Sequence, residues 1–409
     1  MGVSCNAWLL VWGAIGVLTA ACSAQPDAPT PDESAIDARP NVVWTDVGSF
    51  AVANARTATI TVDIGPASRF VAIRVSPQWT GKAPKKRTVC YQLDRVGTDG
   101  KSWVGDSRVK RDWGPACTGC SQRTASMRGY GLFVFPNDGS TLEKAPQLRM
   151  RVVLRNCETG VSADDYRNPD MPASVLVQSA TESAPLWGTD GQLRLRVAFA
   201  NGVTPGSLDV RWNPAFESAA KQFAAAGLNM KVERVAHIDK PTDDVTHGHQ
   251  GDTTAALLEK ALQALRDPAA AESARFVPIV IAPCLRHATA QHGTKVLLGL
   301  SKRIPGGFVP AAAQTGLDGV ILAPRGCDPS SAPLSPERLG TLLAHEVGHY
   351  LGLYHSDSKW ADHRPAAKGD IMQSDAALGQ QATPAFTSAQ AVVINRHPIV
   401  WFDPSTPAQ

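Results

Sequence analysis

The residues best suited to chemistry lie in one short segment, which reads HEVGHYLGLYH from His345 to His355. His345 and His349 are four positions apart, so on a helix both imidazoles project from one face toward a common point. Two nitrogen ligands of a zinc ion require that spacing. Glu346 lies about 100° around the helix from His345, where its carboxylate can reach a metal-bound water without being a ligand.

A third ligand requires the chain to change direction after the second histidine. Gly352 allows this, because glycine adopts the left-handed conformation that ends a helix and turns the chain. His355 then completes a set of three nitrogens. Three protein ligands plus water are typical of a catalytic zinc, whereas four protein ligands are typical of a structural zinc. The segment therefore predicts a catalytic Zn²⁺ site formed by His345, His349 and His355, with Glu346 as general base.

The helix that carries the site has clear start signals. Ser335 is a good N-cap, Pro336 suits the first helical position, and Glu337 faces the positive end of the helix. The apolar stripe expected to face the core consists of three leucines, Leu339, Leu342 and Leu343.

Alternating strands and helices are predicted ahead of that helix. The predicted strands are 193–199, 230–238, 275–282, 296–300 and 319–323. The predicted helices are 214–226, which has Asn213 as N-cap and ends at Gly227, and 253–265.

This part of the chain resembles the metzincin metallopeptidases, whose pattern HExxHxxGxxH matches His345 to His355. Metzincins also have a turn with a methionine beneath the metal, and GDIMQS over 369–374 resembles that turn, with Met372 as its methionine. The resemblance implies that residues 296–300 form an edge strand along the cleft. It also implies a C-terminal helix over 388–396, which the capping box at Thr387 would open.

The subfamily stays unassigned, because individual positions point to different members. Astacin-like and serralysin-like members have a tyrosine two residues after the methionine, whereas this chain has Ser374. Ser356 follows the third histidine, as in matrixin-like members. The Tyr354–His355 junction is similar to that of pappalysin-like bacterial enzymes.

The N-terminal part predicts an all-β sandwich over residues 41–160. Its predicted strands are 57–63, 69–75, 131–135 and 148–154. A polar linker is predicted over 161–184. Since one core rarely grows beyond about 250–300 residues, the 409 residues favour two domains, an N-terminal all-β sandwich and a C-terminal α/β metzincin-like zinc peptidase domain over 185–409.

The first residues predict export. An apolar run without charge over 8–21 is too short to span a bilayer and is followed by small residues and Cys22. Residues 1–22 are therefore typical of a signal peptide, or of a lipobox in which Cys22 is lipidated. Residues 23–40, rich in Pro, Asp, Ser and Ala, predict a disordered linker. We expect a cell-surface lipoprotein, attached to the membrane through Cys22, or a secreted protein.

Cysteines outside the first 22 residues predict disulfide bonds, since an even number remains in an exported chain. If pairs stay within domains, Cys284 pairs with Cys327. Three pairings stay open for the other four, Cys90, Cys117, Cys120 and Cys157. Structural bridges are favoured over a zinc or redox site at the CxxC sequence, because the setting is oxidising and no second CxxC exists.

The combined prediction is a zinc-dependent endopeptidase that acts on proteins or peptides as a monomer. A net charge of +3 gives no reason to expect a nucleic-acid partner. The alternative is a surface-anchored binding lipoprotein with an inactive peptidase fold. The β domain would bind substrate or act as an inhibitory pro-segment. Residues 243–252 suggest a structural metal or a solvated loop, and His363 a surface position.

Overall fold

The structure is a computed structural model that is rich in strands, and the residues it describes include four helices. It describes residues 44–65, 68–81, 89–98, 101–102, 131–135, 147–156, 171–183, 191–200, 209–239, 244–248, 253–265, 276–289, 293–302, 304, 306, 318–324, 327, 332, 334–353, 355–356, 369–373 and 384–400. The predicted signal segment, the linker 23–40, Cys117, Cys120, Cys157, His363 and Ser374 lie outside these ranges. Within them, no helix combines the length and the apolar character needed to cross a membrane.

Eight strands from the first half of the chain form two four-stranded antiparallel sheets, with orders β1-β8-β3-β6 and β2-β7-β4-β5. The strands are β1 (Thr45–Ala51), β2 (Ile60–Asp63), β3 (Ser68–Gln78), β4 (Val89–Thr98), β5 (Lys101–Ser102), β6 (Gly131–Phe135), β7 (Gln147–Asn156) and β8 (Ser174–Ser183). Alternate side chains of both sheets meet in one core, as the period of two in a strand requires. That core includes Ile73 and Val177 from one sheet and Tyr91 and Met150 from the other.

Strand β8 shows that the prediction of a linker over 161–184 was wrong in its second half. β8 pairs with β1 on one side and with β3 on the other, so it lies inside its sheet. Val175 and Val177 face the core. The polar residues around them concealed the alternation in the sequence. The division of the chain into two domains remains a prediction.

The second half contains a five-stranded mixed sheet of order β10-β9-β12-β16-β15. Its strands are β9 (Gly191–Ala200), β10 (Leu228–Ile238), β12 (Val277–Ile281), β15 (Gly299–Ser301) and β16 (Val320–Leu322). The first four strands in this order are parallel, and β15 is antiparallel to β16 at the edge. Every residue of β12 is buried, as expected for a parallel strand covered on both faces.

Four helices cover the two faces of this sheet: α1 (Asp209–Ala225), α2 (Thr254–Leu265), α3 (Pro336–Tyr350) and α4 (Ser388–Arg396). Val197 and Phe199 of β9 pack into a core with residues of α1, α3 and α4. Their neighbours Ala198 and Ala200 pack into a second core with residues of α2. The site helix α3 therefore lies on the face opposite α2.

Helix α1 begins at Asp209, five residues before the predicted start at Pro214, and this prediction was wrong. Pro214 lies inside the helix, where it gives up one backbone hydrogen bond. The longer helix buries Trp212, whose ring meets Phe199 edge-on with centroids 5.9 Å apart. The end at Gly227 is confirmed by its φ of 81°.

A smaller three-stranded sheet has the order β11-β13-β14. Its strands are β11 (Asp244–Gly248), β13 (Cys284–Thr289) and β14 (Gly293–Leu297). The single strand predicted over 296–300 is in fact divided between β14 and β15. Leu298 lies between them, and its carbonyl accepts a hydrogen bond from the Ala323 amide at 2.7 Å. The predicted disulfide Cys284–Cys327 is confirmed.

Strands β14 and β15 present one continuous outer edge. Along the chain, β12 leads into β13, and β14 leads into β15. Strand β16 lies between β12 and β15, and its contact with the outer strands ends at Ala323, whose amide donates to Leu298. Beyond that point β13 and β14 pair directly, with Leu285 opposite Leu297. β14 and β15 therefore use the same side of their backbone, one to pair with β13 and the other to pair with β16. In the parts of the chain that are described, no strand pairs with the other side, where Val296 is exposed.

Candidate metal centre

The site helix α3 begins as the sequence predicted. Ser335 is its N-cap, and its hydroxyl accepts a hydrogen bond from the Arg338 amide at 3.4 Å. The backbone amide of Glu337 and the Ser335 hydroxyl both hydrogen-bond the Glu337 carboxylate, which lowers its pKa. All residues of α3 from Leu339 onward are buried. Polar side chains on this part of the helix therefore need compensating partners.

The three predicted histidines come together. The Nε2 atom of His345 lies 3.1 Å from the Nε2 atom of His349 and 3.1 Å from that of His355. His345 and His349 are buried and His355 is half-buried. One ligand atom from each residue lies within 4.8 Å of the others, so the cluster can hold a metal ion. It is the sole group of this kind among the residues described.

Two backbone carbonyls determine which nitrogen of each buried histidine can bind a metal. The Nδ1 atom of His345 lies 2.7 Å from the Ile371 carbonyl oxygen, and that of His349 lies 2.7 Å from the Leu353 carbonyl oxygen. Because a carbonyl only accepts, both Nδ1 atoms must carry the proton and donate. The lone pair of each neutral ring is then on Nε2, which points toward the other rings. Metal-binding histidines typically have this arrangement.

The nitrogen separations fit one small cation. Ligand nitrogens at 2.0–2.1 Å from a tetrahedral zinc are about 3.3 Å from each other. The observed separations of 3.1 Å are close to this value. Lone pairs that face each other at such a distance repel unless a positive charge lies between them. The donor set and its geometry therefore suit a divalent metal with three nitrogen ligands.

The turn after α3 supplies the third histidine. Gly352 has a φ of 107°, in the left-handed region, as predicted from its position in the sequence. The amides of Gly352 and Leu353 donate to the carbonyls of His349 and Gly348, which closes the helix. The turn thereby positions His355 and also presents the Leu353 carbonyl to His349.

Glu346 is buried, with only 5% of its surface exposed. Its carboxylate packs against Gly299 of the edge strand β15. A Cβ atom added to Gly299 would lie 2.5 Å from Oε1 of Glu346, so a larger residue there would displace the carboxylate. Glu346 is thus placed between the site helix and the outer edge of the sheet. Sequence reasoning had missed the contribution of Gly299.

Met372 is completely buried directly beneath α3. A Cβ atom at Gly348 would lie 2.8 Å from its sulfur, so Gly348 permits this close approach. The Met372 carbonyl accepts from the Ser356 amide at 2.8 Å, next to the third histidine. The turn around Met372 therefore contacts the helix and the loop that carry the histidines.

The stretch 243–252, which also contains metal-binding residue types, is described only in part. Residues 244–248 form β11, which pairs with β13, and the other residues of the stretch 243–252 lie outside the described ranges.

Gln390 and Asp370 were not predicted as part of the site. Gln390 Nε2 donates to Asp370 Oδ1 at 2.8 Å, close to the Met372 turn. The capping-box pattern revealed Gln390 as a helix residue but gave no sign of this second bond.

Comparison with known proteins adds little. No family model matches the chain, and no curated protein matches it. A solved structure that is similar is metalloproteinase-II from Bacteroides fragilis, with a TM-score of 0.28 and 16% sequence identity. The likeness covers 54% of this chain and 61% of that chain, less than two thirds of its length. A TM-score this low carries no argument about function, so function is inferred from the site itself.

Proposed function

We propose that this chain is a zinc-dependent endopeptidase in which His345, His349 and His355 hold Zn²⁺. The observation that carries the proposal is the convergence of the three Nε2 atoms. In two of the rings, backbone carbonyls direct the lone pair toward the centre. Three nitrogen ligands leave a coordination position for water, as in catalytic zinc sites.

Glu346 is the proposed general base. Zinc, when bound, makes a coordinated water more acidic and polarises a carbonyl. The Glu346 carboxylate takes the proton from the attacking water and passes it to the leaving amine. Its burial excludes competing water, and its contact with Gly299 fixes the carboxylate on the side of the site next to the sheet edge.

The outer edge of β15 is the proposed substrate-binding surface. Its backbone groups on one side pair with β16, and those on the other side face outward. An extended peptide can add to such an edge through main-chain hydrogen bonds. Because Gly299 lies in this strand and touches Glu346, a peptide bound there passes next to the general base.

The resemblance to metzincins is part of the proposal. It is supported by the turn at Gly352 and by the burial of Met372 under Gly348. The proposal includes export, as a lipoprotein attached through Cys22 or as a secreted protein. The two antiparallel sheets of the first half would then bind substrate or restrain the enzyme.

The test compares zinc content and cleavage of a peptide library for wild type, Glu346→Gln and Glu337→Gln. Glu337 is the matched control, since it is an exposed glutamate on the same helix. We expect all three proteins to bind zinc and only Glu346→Gln to lose cleavage. The general base contributes about 10²–10⁴-fold to the rate.

Two outcomes would contradict the proposal. A wild-type protein that binds zinc but cleaves no peptide would favour the alternative, a surface-anchored binding lipoprotein with an inactive peptidase fold. If wild type and Glu346→Gln cleave peptides equally fast, Glu346 is not the general base.

A further inference from the structure

Asp370 and Gln390 form a buried link between α4 and the turn that holds Met372. Asp370 is 4% exposed. Its Oδ1 atom accepts hydrogen bonds from the Met372 amide and from Nε2 of Gln390, each at 2.8 Å. The Asp370 carbonyl also accepts from the Gln373 amide at 3.2 Å, which closes a four-residue turn. A buried carboxylate whose one oxygen accepts two hydrogen bonds requires an explanation.

One peptide group connects this link to the metal centre. The Met372 N–H, which donates to Asp370, and the Ile371 carbonyl, which accepts from His345, belong to the same peptide unit. That unit is planar, and its N–H and C=O point in opposite directions. Holding the N–H with Asp370 therefore fixes the direction of the carbonyl. The carbonyl in turn sets the tautomer and the orientation of the His345 ring.

Gln390 also holds Asp370, in a way that glutamate at this position could not. The Oε1 atom of Gln390 accepts from the Thr387 backbone amide at 2.9 Å, and the Gln390 backbone amide donates to the Thr387 hydroxyl at 3.2 Å. These two bonds form the capping box of α4. Glutamate would serve the box equally well. Its carboxylate has no N–H to donate to Asp370, however. The choice of glutamine is thus explained by the second bond.

We infer that Asp370 and Gln390 are positioning residues, which act through the Ile371–Met372 peptide to orient His345 as a metal ligand. The inference rests on the proposed function in one respect, that the metal bound by the three histidines is zinc. Loss of the residue that orients a metal-bound histidine typically weakens metal affinity by about 10–100-fold. We expect an effect of this size when the Gln390–Asp370 bond is broken.

The decisive variants separate this bond from the capping box. Gln390→Glu keeps the acceptor for the Thr387 amide but places a second carboxylate beside Asp370. Asp370→Asn is the conservative variant, because its amide oxygen can still accept from both the Met372 amide and Nε2 of Gln390. Thr387→Ala is the control, since it removes the hydroxyl of the box and leaves the bond to Asp370 intact.

Zinc affinity of the full-length chain is measured by competition with a chromophoric chelator. We expect Gln390→Glu to bind zinc about 10–100-fold more weakly than wild type. Asp370→Asn should lose much less affinity than Gln390→Glu, and Thr387→Ala should bind zinc as wild type does. A Gln390→Glu variant with wild-type affinity overturns the inference, as does a Thr387→Ala variant that loses as much affinity as Gln390→Glu.

A second readout does not depend on metal or on activity. Nitrogen-15 NMR of labelled histidine in the metal-free chain reports which ring nitrogen of His345 carries the proton. Wild type should show Nδ1–H alone, and Gln390→Glu a mixture of tautomers. An unchanged tautomer in Gln390→Glu overturns the inference. If the wild-type protein binds zinc but cleaves no peptide, the proposed peptidase function is wrong, whereas the inference about Asp370 and Gln390 is unaffected.

Discussion

The sulfur of Met372 packs against Gly348, which lies between His345 and His349 in α3. A Cβ atom at Gly348 would be 2.8 Å from that sulfur, closer than packed side chains approach. The glycine in HEVGH is thus explained by packing, although glycine in a helix interior normally costs about 1 kcal/mol relative to alanine.

Gly348→Ala is therefore expected to destabilise the protein despite the better helix propensity of alanine. Overpacking costs about 1–3 kcal/mol, which exceeds the gain of about 1 kcal/mol from propensity. Urea denaturation measures the free energy of unfolding. If Met372 is the cause, the variant Gly348→Ala/Met372→Ala should be more stable than the sum of the two single changes indicates. A stabilised Gly348→Ala protein would show that the contact is not tight.

Gly299→Ala should slow cleavage while zinc affinity stays unchanged. The added methyl group would displace the Glu346 carboxylate, and a misplacement of about 1 Å can cost on the order of 100-fold in rate. Measured kcat, KM and zinc content separate this effect from loss of the metal. Gly81→Ala is the control, since a Cβ there meets nothing within 4 Å. A fall in zinc content instead of kcat would be evidence against the proposed placement of Glu346.

Removal of the Cys284–Cys327 disulfide should destabilise the chain substantially. The two cysteines are 43 residues apart, and the chain-entropy relation gives about 4 kcal/mol for a loop of that length. The free energy of unfolding of Cys284→Ser/Cys327→Ser, compared with wild type, measures this value. Wild type under reducing conditions should be at least as destabilised as the variant, because reduction also breaks any bridges among the other four cysteines. A difference near zero would mean that the loop is already restricted in the unfolded chain.

Glu337 should contribute stability that depends on pH. Hydrogen bonds from its own amide and from Ser335 lower its pKa below the usual 4.5. Folding therefore favours the ionised form, so the contribution is present above pH 4.5 and is lost as the pH falls through the lowered value. Thermal unfolding of wild type and Glu337→Gln should differ slightly near pH 7 and coincide in strong acid. A difference that grows toward acid would have the wrong sign.

Local signals were read correctly from the sequence. The N-cap at Ser335, the turn at Gly352 and the capping box of α4 each depend on residues within one turn of each other. The three histidines also belong to this class, because helix geometry and one glycine suffice to bring them together. The pairing of Cys284 with Cys327 followed from the assumption that pairs stay within domains.

Features that depend on distant residues could not be predicted. Strand β8 is defined by its two neighbours in the sheet. The division of the edge strand at Leu298 depends on where β16 ends, because the Ala323 amide, just after β16, donates a hydrogen bond to the Leu298 carbonyl. Gln390 and Asp370 are twenty positions apart, and no periodicity relates them. Composition and spacing along the chain contain no information about such contacts.

The continuous outer edge of β14 and β15 has a consequence for which proteins the proposed enzyme would cut. A partner must offer several successive residues as bare backbone, and segments of folded proteins rarely do so, because their amides and carbonyls are already paired. The rate of attack on a folded protein would then follow the fraction of its molecules that are locally opened at any moment. Loosely structured or damaged proteins would be degraded first, whatever their sequence.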